Sequence, residues 1–409
     1  MRLIFLNRFF WPDRSATSQM LSDIAFALAR DGAALGRDIV VITSRLDFED
    51  PENRLPPSET RDGVRIVRVW TSRFGRYNLL GRAIDYLTFY LSAALALWRA
   101  ARRGDIVVAK TDPPMLSVLA TPIARLRGAT PVNWLQDIYP EIGHALGVKL
   151  GPLEAPLRAL RNWSLKTAKA NVVLGERMAE RVAGLTRGKA TTVTIPNWAD
   201  GKLVHPVQRE TNTLRRAWAL ETNFVVAYSG NLGRAHDRAT MLDAIAILEA
   251  AGGDSIRWLF IGGGKQLREL KAETETRQLR SVLFQAYQPR EVLAESLSAA
   301  DVHLVTLRPD LEGLIVPSKI YGILAAGRPA IFIGDKDGEI GRLLDRADCG
   351  VTVAEGDAKA LAATILAWSQ APQTVADMGQ KARALFTSTY DLPFAVQRWK
   401  ALMLDVARR

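Results

Sequence analysis

Lys319 stands at a predicted helix start, within V-P-S-K-I-Y-G-I-L-A-A-G-R-P at 316–329, where a lysine is out of place. Pro317 and Ser318 suit the first turn, and Gly327-Arg-Pro ends the helix before an apolar strand at 330–333. The N-terminus of a helix is its positive end, so it favours an anion over another cation. A bound phosphate meeting both the helix end and the ammonium resolves the conflict; an ordinary solvated lysine is the competing reading. A second cation, Arg234, lies in S-G-N-L-G-R-A-H-D at 229–237. There Gly230 and Gly233, on either side of Asn231, allow close approach of backbone to a ligand, and a guanidinium grips phosphate with two parallel hydrogen bonds. The third group is acidic. In N-W-L-Q-D-I-Y-P-E at 133–141, Gln136, Asp137 and Glu141 crowd a strand end with two aromatics, and Asp137 is the best placed for a polar contact near a reacting centre. An aspartate capping the following turn is its alternative reading.

Two more loops follow predicted strands. Residues 9–17, F-F-W-P-D-R-S-A-T, carry Trp11, Asp13 and Thr17 into a helix, where they either contact a polar ligand or pack against a neighbouring domain. Lys110-Thr-Asp-Pro-Pro114 is stiffened by two prolines and includes Asp112. Other patterns are weaker. Ile261-Gly-Gly-Gly-Lys265 lacks the full G-x-G-x-x-G spacing, because Leu267 stands at the last glycine, so a nicotinamide cofactor is not expected. Asp335-Lys-Asp337 reads as a solvated loop. His144, His205, His236 and His303 are not spaced with carboxylates or cysteine as metal ligands would be, so metal-dependent chemistry is not expected.

These loops need rigid elements behind them. Strand-like and helix-like segments alternate along the whole chain, which predicts an α/β protein with parallel sheets covered by helices. The first series of strands is predicted at 2–6, 38–42, 64–69, 106–109, 131–135 and 171–174, with a helix at 15–31 capped by Ser15 or Thr17. The second series is predicted at 224–228, 257–261, 282–285, 302–306, 330–333 and 350–353. Two doubly wound domains follow, joined near 195–200 and the polar stretch 208–213. Ligands of such sheets bind beyond the carboxyl ends of the strands, and two facing domains make the cleft between them the natural site.

The chain has 409 residues and a net charge of +11, enough for two domains and suited to acidic partners such as phosphorylated substrates, anionic lipid or nucleic acid. The single cysteine, Cys349, excludes an intramolecular disulfide. The first apolar run is too short for a signal segment, and no window reaches the ~18 apolar residues of a membrane span. From 70 to 103, aromatic and apolar residues (Phe74, Tyr77, Tyr86, Phe89, Trp98) alternate with Arg73, Arg76, Arg82, Arg99, Arg102 and Arg103, and Asp85 is the only acid. This segment reads either as a membrane-interface element with arginines at the head groups or as an internal helix with a charged exit. Arg158, Arg161, Lys166 and Lys169 extend the basic character. No recognised nucleic-acid module is present, so nucleic acid is not the expected partner.

Taken together, F-F-W-P-D-R-S-A-T-S-Q-M-L-S-D-I-A at 9–25, T-D-P-P-M at 111–115, W-L-Q-D-I-Y-P-E at 134–141, I-P-N-W-A-D at 195–200, Y-S-G-N-L-G-R-A-H-D at 228–237 and the 316–329 run resemble glycosyltransferase family 4, the retaining GT-B enzymes, and within it a WbuB-like branch of bacterial surface-polysaccharide transferases. The resemblance implies two Rossmann-like domains facing across a cleft. The first, 1–200, would bind acceptor through Trp11, Asp13, Thr17, Asp112 and Glu141; the second, 201–391, would bind a nucleotide sugar, and a helix in 392–409 would pack back on the first. It implies that Arg234 and Lys319 hold the donor diphosphate, with Asp137 near the reacting centre, Gly230, Asn231, Gly233, Pro317 and Ser318 around the phosphates, backbone from Phe284 to Tyr287 at the base, and Glu339 near the donor sugar or ribose. The sequence departs from the family in one respect. The two customary glutamates fall on Leu314 and Gly322, so Glu312 would have to stand in for them, and Asn231 replaces the first basic residue of the usual Arg/Lys pair.

The expected activity is metal-independent transfer of a sugar, hexosyl or N-acetylhexosaminyl, from a nucleotide donor, UDP-linked, to a lipid-linked or oligosaccharide acceptor in polysaccharide synthesis. No cofactor is expected beyond the nucleotide sugar as substrate, and the expected location is cytoplasmic, peripheral on an anionic membrane face. A UDP-sugar epimerase of the same fold and a non-catalytic scaffold are the alternatives.

Overall fold

The apolar runs at 2–6, 106–110, 302–306 and 330–333 are buried almost throughout, which only a strand covered on both faces requires. In the computed structural model, which describes residues 1–13, 15–30, 38–47, 54–75, 79–148 and 151–408, they are the inner strands of two sheets. Arg14, Asp31, Arg76, Tyr77 and Arg409 of the sequence reading lie outside the described residues.

The chain divides into two compact units, Met1–Pro196 with Pro393–Arg409, and Asn197–Leu392. The first holds β1 (Arg2–Leu6), β2 (Asp38–Ser44), β3 (Ser58–Arg61), β4 (Val64–Val69), β5 (Ile106–Lys110), β6 (Thr130–Trp134), β7 (Ala170–Val173) and β8 (Thr192–Thr194), in the order β3-β4-β2-β1-β5-β6-β7-β8. The order reverses between β1 and β5, which are paired in parallel. The second unit holds β9 (Phe224–Asn231), β10 (Ile256–Gly263), β11 (Val282–Gln285), β12 (Val302–Thr306), β13 (Ala330–Ile333) and β14 (Gly350–Val353), in the order β11-β10-β9-β12-β13-β14, with its reversal between β9 and β12. Ligands of doubly wound sheets collect at such switch points.

Three features differ from the sequence expectation. The first sheet is not wholly parallel, because β3 pairs antiparallel with β4 at the edge. Its sequence, S-E-T-R, is polar and mostly exposed, so no hydrophobic alternation announces it. The short β8 was likewise unannounced. Finally, β9 and β10 run on past 228 and 261 to Asn231 and Gly263, and Gly262 lies opposite Gly230 in the ladder. A Cβ on Gly262 would fall 2.4 Å from the Gly230 carbonyl oxygen, and Gly262 has φ +131°. The glycine run serves the close approach of two strand ends.

Trp399 carries the last helix, Leu392–Arg408, onto the first unit. Its ring centroid lies 4.5 Å from Trp134 and 6.4 Å from Phe5, at the end of β6 and on β1. Residues 199–201 are tied to the other unit, where Ala199 bridges to Asp391 and the Gly201 N–H donates to Asp391 Oδ1 at 2.9 Å.

Candidate functional site

In the second unit the switch point is closed by Lys319. It is the first residue of the helix Lys319–Ala325, which leads back to β13. With only seven residues, that helix provides little macrodipole, so the anomaly at Lys319 rests on burial instead. The residue as a whole is half-buried, yet Nζ is shut off from solvent and has no hydrogen-bond partner among the described residues. It lies 3.5 Å from the centroid of the Tyr228 ring and 3.8 Å from where a Cβ of Gly230 would be. A cation over an aromatic face recovers only part of its lost hydration. Burial therefore pushes the Lys319 pKa well below the ordinary lysine value.

His236 completes this corner. Its Nδ1 lies 2.7 Å from the Thr306 carbonyl oxygen at the end of β12. A carbonyl only accepts, so Nδ1 carries the proton and Nε2 remains an acceptor. Burial, reinforced by Lys319, pushes the imidazole pKa down to about 3, which keeps it neutral at pH 7. The loop after β9 is pinned by Arg308 N–H to Ala235 O at 3.0 Å and Asp237 N–H to Thr306 Oγ1 at 3.0 Å. On this loop Gly233 is half-buried, and Asn231 and Arg234 are exposed, Arg234 without a protein partner among the described residues. Pro317 and Ser318 precede Lys319 directly, and Ser318 makes no side-chain cap.

Other expected donor residues are placed differently from one another. Tyr287 is exposed with its ring edge over Gly262 and Gly263. Phe284 stacks on Phe260, centroids 5.5 Å apart, so its side chain packs into the sheet's cover. Glu312 Oε1 accepts from the Glu339 N–H at 2.8 Å and so caps the helix Glu339–Ala347. Burial raises the Glu312 pKa, opposed by that hydrogen bond. Leu314 is core, and a Cβ on Gly322 would meet Leu297 Cδ1 at 3.2 Å.

In the first unit the ends of β1, β5 and β6 gather a second charged cluster. Lys110, the last residue of β5, is buried; its Nζ donates to Thr17 O at 2.7 Å and sits 4.1 Å from the Trp134 ring centroid. Thr17 Oγ1 donates to Asp112 Oδ2 at 2.9 Å, and Arg8 N–H donates to Asp112 O at 2.7 Å. Asp137 follows β6 and accepts no hydrogen bond from a described residue. Burial, and then Asp112, push its carboxyl up to about 7, against the pull of Lys110. Burial lowers Lys110 to about 7, resisted by Asp112 and Asp137. Asp137 and Lys110, both titrating near neutrality beside Asp112, whose carboxyl burial also pushes up, are equipped at this switch point to hold and move a proton on a bound hydroxyl.

The fold thus brings Thr17, Asp112 and Asp137 together, with the Asp13 charge near enough to act on Asp112, and engages the three other expected acceptor residues in protein contacts. Trp11 lies under the Arg61 guanidinium, 4.1 Å from the ring centroid, and its carbonyl accepts from Arg68 at 2.9 Å. Asp13 Oδ1 accepts from the Ser15 N–H at 2.8 Å and shapes the first loop. Glu141 forms a buried two-point ion pair with Arg161, at 2.6 and 2.9 Å. Lys110, Tyr228 and His236 were not expected as site residues. A lysine ending the apolar run I-V-V-A-K was the one available sign of Lys110.

Two doubly wound units are the architecture of solved GT-B glycosyltransferases. Residues 23–198 match the family model for a glycosyl transferase 4-like domain, and residues 210–385 match the model for glycosyl transferases group 1. The chain belongs to the family-4-like GT-B glycosyltransferases. It is 30% identical to the probable glycosyltransferase WbjE of Pseudomonas aeruginosa, over 72% of this chain and 73% of that one. It is 24% identical to the putative colanic acid biosynthesis glycosyl transferase WcaI of Escherichia coli K12, over 63% of each. Among solved structures, HepE of Anabaena in complex with UDP-glucose aligns with a TM-score of 0.70 at 16% identity, over 99% of each chain.

Proposed function

We propose that this glycosyltransferase moves a sugar from a UDP-linked donor to a lipid-linked or oligosaccharide acceptor in bacterial surface-polysaccharide synthesis, with retention at the anomeric carbon and without a metal, as a member of a WbuB-like branch. The observation that carries the reading is the unpartnered ammonium of Lys319 at the β9/β12 switch point. An anion there would restore the electrostatic stabilisation that burial removed, and a departing nucleoside diphosphate is such an anion. Arg234, exposed on the neighbouring loop, supplies a second cation. The HepE complex and the WcaI name support a UDP-sugar donor and a polysaccharide product respectively.

In this scheme the bond from the anomeric carbon to the diphosphate oxygen breaks while the acceptor oxygen bonds to the same face. The acceptor proton passes to the leaving phosphate. Lys319 and Arg234 offset the charge that develops on that phosphate, and neutral His236 offers Nε2 to a sugar hydroxyl. Asp137 and Lys110 orient the acceptor hydroxyl.

Calorimetric titration of a panel of nucleotide sugars, followed by product analysis with a lipid-linked acceptor, tests this. Lys319→Ala and Arg234→Ala are each expected to cost about 2 kcal/mol or more of transition-state stabilisation. No binding of any nucleotide sugar would favour a non-catalytic scaffold, and free UDP without a transferred sugar would favour an epimerase.

A further inference from the structure

The helix Leu79–Ala100 buries one ridge, including Phe89, Ala93 and Leu97, in the first unit's core. Its opposite side is unlike a soluble protein's surface. Between Arg82 and Arg99 every exposed residue of the helix is apolar: Ala83, Ile84, Leu87, Leu91, Leu95 and Trp98. At about 100° per residue, Leu80 and these larger side chains fall within roughly 80° of arc, a single stripe about 27 Å long. Leu80 and Leu91 are 74% and 64% exposed. Scattered exposed leucines need no explanation, but a continuous stripe of this length does.

Neighbouring helices also expose large apolar side chains. The helices Leu116–Leu126 and Glu154–Thr167 pack in turn beside Leu79–Ala100, and Leu126, Leu160 and Trp163 are exposed on them. In the second unit, by contrast, the large exposed apolar side chains among the described residues are Ile247, Tyr287 and Leu366. The stripe has exposed cations at its C-terminal end, Arg99 and Arg102, and Arg127 holds its guanidinium 5.3 Å from the Trp98 ring centroid. None of the helices among the described residues is long and apolar enough to cross a bilayer.

We infer that the exposed stripe on Leu79–Ala100 is a docking face for an anionic lipid bilayer, with the helix lying in the interface plane, its leucines among the acyl chains and its terminal arginines at acidic head groups. Apolar side chains on one face with arginines clustered at its end complement the layered chemistry of a bilayer surface, acyl below and phosphate at the rim. A protein partner's apolar groove would leave those terminal cations without a charge to match. The inference deepens the lipid-linked acceptor reading by naming the surface that brings the enzyme to such an acceptor, and it rests on that reading only for its purpose.

The test is flotation of the full chain with phosphatidylcholine vesicles, with and without phosphatidylglycerol, at low and high salt. The expected result is binding that requires the anionic lipid, weakens with salt, and falls roughly tenfold or more in Leu87→Gln/Leu91→Gln. Arg99→Gln/Arg102→Gln is expected to lose the preference for anionic lipid. Both pairs are exposed, so circular dichroism and UDP titration should match the unsubstituted chain. No flotation at low salt overturns the proposal, as does flotation indifferent to the leucine pair. Equal binding to neutral vesicles overturns the head-group role. A dimer by light scattering that the leucine pair dissolves assigns the stripe to self-association and overturns it too. UDP titration reads the donor site separately, so failure of the docking face and failure of the transferase reading are distinguishable.

Discussion

Lys319 Nζ lies 3.5 Å from the centroid of the Tyr228 ring and has no hydrogen-bond partner among the described residues. A buried cation with only a ring for company is unstable until an anion arrives, so it trades fold stability for ligand affinity. Lys319→Met should therefore raise the unfolding free energy of the free protein by about 1 to 3 kcal/mol. The same change should weaken UDP binding roughly tenfold or more. Thermal unfolding with and without UDP, beside calorimetry, reads both effects; a variant that keeps full affinity removes Lys319 from the donor site.

Asp137 gives a pH signature. Its folded carboxyl titrates near 7 because of burial, far above an unfolded aspartate. The folded state thus holds an extra proton between roughly pH 4 and 7, and this residue's contribution to stability declines as pH rises through that window. Asp137→Asn should flatten that decline, gaining on the order of 2 kcal/mol relative to the unsubstituted chain at pH 8 over pH 4. Urea unfolding at several pH values measures it, and parallel curves for the two proteins would contradict the assignment.

Glu141 and Arg161 are held at 2.6 and 2.9 Å in a buried pair. Removing one partner strands the other charge. Glu141→Gln is predicted to destabilise the fold by about 3 kcal/mol, whereas Glu141→Leu combined with Arg161→Met should recover most of that loss. Acceptor affinity that falls in the double variant despite recovered stability would restore Glu141 to the binding site.

His303 is wholly buried on β12 and donates from Nε2 to Leu297 O at 2.7 Å. Burial pushes its pKa down to about 4. An unfolded histidine takes up its proton below about 6.5, so stability is lost as pH falls from there toward 4. His303→Gln should show a shallower acid decline, by up to about 3 kcal/mol over that range. Equal slopes in chemical unfolding at pH 4.5 and 7 would refute it.

Trp399 fastens the C-terminal helix to Phe5 and Trp134. Trp399→Ala should cost about 3 to 5 kcal/mol through the cavity it leaves. Hydrogen exchange is expected to localise the loss to 392–408 and the ends of β1 and β6; uniform exchange change across both units would argue against a local fastening.

The alternation of apolar runs with helical patterns was enough to read two α/β units, because a parallel strand covered on both faces must be hydrophobic along its whole length. Polar edge strands such as Ser58–Arg61 carry no such mark and were missed. The loops at 228–237, 134–141 and 316–329 were legible as chemistry because glycine, proline and charge at strand ends are local features. Which of their residues act together was not. Glu141 and Asp137 stand four positions apart in one loop, yet Glu141 is neutralised by Arg161 from a distant helix, while Asp137 is left desolvated beside Asp112. His236 acquires its tautomer from Thr306, and Lys319 its ring contact from Tyr228, partners 70 and 91 positions away. Periodicity and turn chemistry act over a few residues and survive in the linear order of the chain. Desolvation and pairing of charge depend on what lies within a few ångströms in space, and that is fixed only when the sheets bring remote loops to the same switch point.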